Sequence, residues 1–358
     1  LYILKINDVF IIVFSIVSLT SLLLLSTFNL SFSLNEENTN ITQILNTGDR
    51  LYNESKYQEA IDWFDKAIGI DPKNTYALVS KAVALVGLGD SLGNSSKYQE
   101  ALTWYDKALA IDPNNTDTLY SKGFALHDLK RYEEAITWYD KALALNPKHI
   151  DALYSKGVAL IELGRFQEPD RIQEAIDVFD KVLAADPKNI DALYSKGIAL
   201  IELGQDQGSN TYQKAIDVFD KVLAADPKNI DALYHRGSAF YYLGDILNNL
   251  SKFQDSIGMF DRILAIEPDH VLALYQKGNS LHELGNFKEA IIWYNKSLAI
   301  DPKDVDVLTS KAFTLYKIGQ YQEAINWIDK ALTIEPDNVR ALEREKIIEQ
   351  SVTGVENR

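Results

Sequence analysis

Residues 175–194, AIDVFDKVLAADPKNIDALY, return letter for letter at 215–234. A segment repeated after so short an interval confines the chain to architectures built by stacking copies of one unit, because a unit of that size cannot bury its own apolar faces alone. Further copies run through most of the chain. Pro72, Pro113, Pro147, Pro187, Pro227, Pro268, Pro302 and Pro336 each close an apolar helical pattern after Asp, Glu or Asn, at intervals of 41, 34, 40, 40, 41, 34 and 34 residues. Upstream of each lie two amphipathic stretches, such as LYSKGFALHDL (119–129) and YEEAITWYDKALAL (132–145), with apolar residues at helical spacing. Each unit therefore reads as a hairpin of two helices, A and B. Proline stops helix B because it offers no amide hydrogen and clashes with the carbonyl one turn back, and a nearby Asp or Asn caps the next helix A.

Small residues recur inside this frame. With 116–149 as reference, helix A carries Gly123, matched by Gly48, Ala82, Gly157, Gly197, Gly237, Gly278 and Ala312. Helix B opens with Ala135, matched by Ala60, Ala101, Ala175, Ala215, Ala290 and Ala324, with Ser256 the one departure. Three residues earlier stands an aromatic, namely Tyr57, Tyr98, Tyr132, Tyr212, Phe253, Phe287 or Tyr321, and only Ile172 deviates. Glycine inside a helix costs about 1 kcal/mol relative to alanine, so its recurrence implies a close crossing, Gly123 against Ala135, with Leu119, Leu126 and Tyr139 filling the space around it.

This pattern resembles the tetratricopeptide repeat family over residues 41–338. The resemblance implies an all-α fold, a right-handed α-solenoid of helical hairpins with units at 41–74, 75–115, 116–149, 150–189, 190–229, 230–270, 271–304 and 305–338, followed by a capping helix and tail at 339–358. Four units are longer by six or seven residues between helices A and B, as in ELGRFQEPDRIQEA (162–175) against DLKRYEEA (128–135). The insertions read as longer turns along one edge of the stack.

Positions on helix A separated by four and then three residues share one face. The first of them is Tyr120, Tyr154, Tyr194, Tyr234 and Tyr275 in successive units. The second is Phe124, Val158, Ile198, Ser238 and Asn279. The third is His127, Ile161, Ile201, Tyr241 and His282. In the family this face lines a concave groove that holds extended or helical peptides, which implies a tyrosine ladder flanked by aliphatic surface and bordered by Asp117, Asp151, Asp191, Asp231, Glu162, Glu202 and Glu283. The same residues have a purely structural reading: the tyrosines pack on the neighbouring repeat, and an Asp in a first helical turn complements the helix dipole. The family's carboxylate-clamp subtype finds only Asn279 and Lys317 here, so the implied ligand is a neutral-to-basic, partly apolar peptide or protein segment.

Composition removes other classes. A formal charge of -15 repels a phosphate backbone, which sets nucleic acid aside as a partner. With no cysteine there is no disulfide, thiolate nucleophile or cysteine-held metal. HELGN (282–286) lacks the second histidine of a zinc-protease helix, and GLGDSLG (87–93) lacks the preceding strand and third glycine of a dinucleotide loop and reads as a helix-ending turn. The recurrent Asp-Lys pairs at the end of helix B, such as Asp140-Lys141, read as a solvated outer face. No catalytic residue, metal site or cofactor is expected. The reading is a non-enzymatic protein-binding scaffold, with two alternatives: the substrate-recognition subunit of a separate enzyme, such as a glycosyltransferase or peptidase complex, or a secreted structural repeat protein.

The first 34 residues read as a membrane anchor or signal segment, followed by a polar linker at 35–40. No charge falls between Asp8 and Glu36, and VFIIVFSIVSLTSLLLLSTF (9–28) is long enough to span a bilayer. The run exceeds the usual signal-peptide core of about 7–15 residues, and Ser31-Phe32-Ser33 is the one small-x-small candidate nearby, which favours an uncleaved anchor over a cleaved signal peptide. Lys5 before the segment and Glu36 and Glu37 after it place the repeats outside the cytoplasm by the positive-inside tendency. Asn-x-Ser/Thr acceptors at Asn40, Asn53, Asn94, Asn114, Asn249 and Asn295 agree with export or are coincidences of polar loops.

Overall fold

The computed structural model describes residues 40–166 and 170–356, and all regular structure among the described residues is helical. The apolar run at 9–28 and nearly all of the linker lie outside them. Among the described residues no helix is long and apolar enough to cross a membrane. The described residues form two compact units, one ending at Leu129 and the other beginning at Lys130. In the first, α1 (40–53), α2 (Tyr57–Ile70), α3 (Thr75–Leu92), α4 (Ser95–Ile111) and α5 (Thr116–Asp128) follow one another. The second runs α6 (Tyr132–Leu145), α7 (Ile150–Phe166), α8 (Asp170–Ala185), α9 (Ile190–Gln207), α10 (Ser209–Ala225) and α11 (Ile230–Leu247), then α12 (Leu250–Ile266), α13 (Val271–Glu283), α14 (Phe287–Ile300), α15 (Val305–Lys317), α16 (Tyr321–Ile334) and α17 (Val339–Glu356). Odd-numbered helices are the A helices and even-numbered ones the B helices.

The joints between repeats are built by the residues around each proline. Asp71 Oδ1 accepts from the Lys73 amide at 3.0 Å, and Asn74 Oδ1 then accepts from the Ala77 amide at 3.0 Å, capping α3. Asn115, Asn189, Asn229, Asp304 and Asn338 cap their A helices in the same way. At two joints a histidine substitutes, His149 and His270, each accepting through Nδ1. Such a cap contributes about 1 kcal/mol by satisfying an orphan amide.

The glycine crossing differs from the expected pairing of small residues. A Cβ added at Gly48, Gly157, Gly197 or Gly278 would stand 2.5, 2.7, 2.6 or 2.5 Å from a ring carbon of Phe64, Phe179, Phe219 or Tyr294. The room left by the glycine is thus taken by the aromatic ring of helix B, four residues after its buried alanine, rather than by the alanine itself. Phe179 and Phe219 are fully buried and anchor the largest core cluster of the second unit.

The insertions are not turns. Helices α3, α9 and α11 have 18 residues and α7 has 17, against 13 in α5, α13 and α15. The B helices lengthen as well, from 14 residues in α6, α14 and α16 to 16 or 17 in α4, α8, α10 and α12. The extra residues extend both arms of the hairpin. One position decides the outcome: Gly285 and Gly319 stop their helices with φ of 77° and 80°, whereas Gly89, Gly164, Gly204 and Gly244 stay helical and receive Tyr98, Ile172, Tyr212 and Phe253 against them. GLGDSLG accordingly remains helical through Leu92, and only Gly93 turns left-handed, with φ 59°.

The Asp-Lys pairs are also more than solvated surface. From α2 to α12 the aspartate of the B helix reaches the cation just before the small residue of the next A helix: Asp65–Lys81, Asp106–Lys122, Asp140–Lys156, Asp180–Lys196, Asp220–Arg236 and Asp261–Lys277. At the α14–α15 joint the carboxylate is missing, because the corresponding residue is Asn295, and burial lowers the Lys311 pKa to about 8. Asn295→Asp restores the carboxylate at this joint. Urea unfolding should show a gain of about 1–2 kcal/mol, the worth of a charge-assisted hydrogen bond with one half-exposed partner. An unchanged midpoint would refute a stabilising role for these pairs.

Candidate functional site

In the second unit successive A helices touch directly, α7 on α9, α9 on α11, α11 on α13, α13 on α15 and α15 on α17. The candidate residues of that unit therefore lie on one face of adjoining helices. Tyr154, Tyr194, Tyr234 and Tyr275 are half-buried, each over the B-helix ring of its own repeat, with centroids 6.0 Å from Phe179, 6.1 Å from Phe219, 6.1 Å from Phe260 and 6.2 Å from Tyr294. They also reach forward. The Tyr154 and Ser195 hydroxyls are 3.3 Å apart, those of Tyr275 and Ser310 3.2 Å apart, and the Tyr194 ring lies 5.7 Å from His235. The tyrosines are thus a seam between repeats, packed along one edge and open along the other.

Around this seam Val158, Ile198 and Asn279 are half-buried and Asp151, Asp191 and Asp231 are exposed in the first turns of their helices. Asn279 Oδ1 accepts from the Tyr294 hydroxyl at 2.9 Å. Three of the expected groove residues do not line an open surface: Ile161 and Ile201 are buried in the core, and Ser238 is buried with its hydroxyl donating to the Tyr234 carbonyl at 3.0 Å. The same position in later repeats carries Tyr241 and His282, which are half-buried, His282 bonded to Thr314 of the neighbouring A helix at 2.7 Å. Tyr241 donates to Glu283 Oε1 at 3.4 Å, and burial followed by the Glu283 charge pushes its pKa up. In the first unit Tyr120 and Phe124 have centroids 6.4 Å apart, Phe124 is exposed, and His127 Nδ1 is 3.5 Å from Asp128.

The cations of α17 were not visible as part of this face from sequence. Arg340 donates to the Tyr275 hydroxyl at 3.2 Å, to Asp306 at 3.3 Å and to Ser310 at 3.3 Å. The Arg344 guanidinium lies 4.3 Å from the Phe313 ring centroid and donates to the Thr309 carbonyl at 3.4 Å, while Lys317 approaches the same ring at 4.9 Å. Aligning α17 with the other A helices would have placed Arg340 at the Asp151 position and Arg344 at the Ser155 position. The face runs from carboxylates on α7, α9 and α11 to guanidinium groups on α17. Among the described residues no cluster of His, Asp and Glu is arranged to hold a metal ion.

The comparisons with known proteins agree with this architecture. The profile of the family described as anaphase-promoting complex, cyclosome, subunit 3 matches residues 94–169 and 249–331, and profiles described as tetratricopeptide repeat match 48–74 and 170–230. No curated protein matches the chain. Among solved structures, a tetratricopeptide repeat protein from Parabacteroides merdae is similar at 18% identity with a TM-score of 0.55, over 77% of this chain and 98% of that one. A Cut9–Hcn1 hetero-tetramer of the APC/C is similar at 18% identity and a TM-score of 0.52, over 85% of this chain and 55% of that one. PilF of Pseudomonas aeruginosa is similar at 18% identity and a TM-score of 0.50, over 66% and 96%.

Proposed function

Because the chain is a tetratricopeptide-repeat protein, we propose that it works as a non-enzymatic scaffold, holding a neutral-to-basic, partly apolar segment of a partner protein against the A-helix face of its second unit. The observation that carries this reading is the tyrosine seam. Tyr154, Tyr194, Tyr234 and Tyr275 each keep an open edge beside the exposed Asp151, Asp191 and Asp231. A tyrosine held rigid by a ring beneath it presents a large apolar body and a polar tip at little entropic cost. The aspartates supply the counter-charge for a basic segment, which affects encounter rate and specificity more than raw affinity.

In this reading residues 9–28 tether the repeats to a membrane and hold them outside the cytoplasm. The support is the uncharged twenty-residue run and the exposure of Asn40, Asn53, Asn94, Asn114, Asn249 and Asn295, the Asn-x-Ser/Thr asparagines among the described residues.

The test replaces Tyr154, Tyr194 and Tyr234 together by serine and compares proteins captured from native membranes by parent and variant. Capture should be lost with the far-UV circular dichroism retained, and a parallel Tyr→Phe triple variant, which keeps the rings, should retain most of it. Equal capture by parent and serine variant would remove the seam from the binding face.

A further inference from the structure

All five tryptophans of the chain occupy one position, three residues after the alanine that opens helix B: Trp63, Trp104, Trp138, Trp293 and Trp327. At Trp104, Trp293 and Trp327 the indole lies between two lysines. Lys81 and Lys107 stand 3.9 and 3.6 Å from the Trp104 ring centroid, Lys277 and Lys296 3.7 and 3.9 Å from Trp293, and Lys311 and Lys330 3.3 and 4.0 Å from Trp327. The first lysine of each pair comes from helix A of the same repeat and the second from one turn further along helix B. The indole thus roofs the space beside helix A.

Three repeats lack the tryptophan. Helix α12 carries Met259, whose sulfur lies 3.1 Å from Arg236 Nη1 and so still occupies the place. Helices α8 and α10 carry Val178 and Val218, too short to do so. A cavity of about 370 Å³ lies beside Val218, between α8, α9 and α10. Ile176, Leu200 and Leu203 join Val218 in an apolar strip of its lining, the rest of which is polar and includes the Asp177 and Asp217 carboxylates and Lys214. Lys196, held by Asp180, stands at its wall where Lys81 and Lys277 stand against their indoles. Lys221 is the counterpart of the second lysine and is exposed.

The geometry points to a socket for the indole of a tryptophan side chain supplied by a partner protein, seated where the chain's own tryptophans sit in the other repeats. The repeated internal arrangement is what identifies the occupant: the backbone, the A-helix cation and its aspartate are kept, and only the ring is missing. Tryptophan is the strongest aromatic partner for a cation over its face, and its amphipathic ring suits a lining that is part apolar and part polar, the indole N–H having the Asp177 and Asp217 carboxylates of the wall as candidate acceptors. The socket is formed by two B helices and the A helix between them, and does not depend on the tyrosine seam.

The test titrates the full chain with N-acetyl-5-fluorotryptophanamide by fluorine NMR. Saturable binding on the order of 1 mM is expected for a ligand of this size. Val218→Trp, which places the chain's own indole in the socket, should abolish it. Should that variant fail to fold, Lys196→Met keeps the cavity and should weaken binding about fivefold through loss of the cation. Absence of saturable binding to the parent, binding unchanged in Val218→Trp, or binding unchanged in Lys196→Met would each overturn the assignment. Tighter binding of free 5-fluoroindole than of the capped residue would assign the socket to a small aromatic molecule and overturn the partner reading.

Discussion

Phe219→Ala lowers the unfolding free energy of the central repeats by about 3–5 kcal/mol, the loss that accompanies removal of a fully buried aromatic ring and incomplete collapse around the void. Phe219 is fully buried, lies over Gly197, and has Tyr194 and His235 against it, with centroids 6.1 and 6.0 Å away. Because each repeat contacts only its neighbours, the loss should be local. Hydrogen exchange of the α9 and α10 amides is the measurement, with α14–α16 as an internal control.

The same pair yields a change of sign. Gly197→Ala alone gains about 1 kcal/mol of helix propensity, but its Cβ would stand 2.6 Å from the Phe219 ring, and overpacking of a buried ring costs about 1–3 kcal/mol. The net effect is destabilising. In a Phe219→Ala background the ring is gone, so the propensity gain remains and Gly197→Ala becomes stabilising. A double-mutant cycle isolates this coupling. Gly157 and Phe179 occupy the equivalent places one repeat earlier, with 2.7 Å in place of 2.6 Å, and give an independent replicate. Additive effects at both pairs would show that the glycine is not there to admit the ring.

Much of this architecture was legible because the chain states it repeatedly. Proline and its flanking Asp or Asn fix where helix B stops and helix A begins, and helical periodicity fixes which side is apolar. The glycines were only half legible. The requirement for a small residue at Gly197 is visible in its counterparts, but what fills the space is set by Phe219, four residues beyond the alanine that sequence spacing points to. The insertions misled for a related reason: Gly164, Gly204 and Gly244 sit at the helix-stopping position of Gly285, and only the ring or branched side chain packed on them shows that the helix continues. On the candidate face the tyrosines were legible from their register. The burial of Ile161 and Ile201 was not, since periodicity gives a direction without the height of the neighbouring helix. Arg340 and Arg344 were obscured because α17 has no helix B after it to mark it as a repeat. The substitution of valine for tryptophan was present in the sequence, but a cavity appears only when the neighbours are seen not to close over it.

Acidification should unfold the C-terminal repeats through His282. Its pKa is lowered from 6.5 to about 4, first by burial and then by the charges of Arg344, Lys317 and Arg340. Thr314 donates its hydroxyl to the Ser310 carbonyl at 2.7 Å, so a lone pair faces His282 Nδ1 at 2.7 Å and Nδ1 must carry the proton. That hydrogen bond serves neutral and charged imidazole alike and does not resist the shift. A base whose folded-state pKa lies below its unfolded value binds fewer protons when folded, so stability is present above pH 6.5 and is lost as the pH falls toward 4. The integrated loss is about 3 kcal/mol by pH 4, at about 1.4 kcal/mol for each pH unit between the two values. His235, also lowered by burial, adds in the same direction. Glu283, raised by burial and by Asp245, opposes it within the carboxylate range, because a carboxylate raised on folding favours the folded state at low pH. His282→Gln keeps a donor for Thr314 and cannot ionise. Urea unfolding of parent and variant at pH 7, 6, 5 and 4 should therefore give curves that diverge as the pH falls, the parent losing about 3 kcal/mol more than the variant. Parallel curves would show that His282 accepts its proton without penalty, and that the cations of α17 do not act on this face.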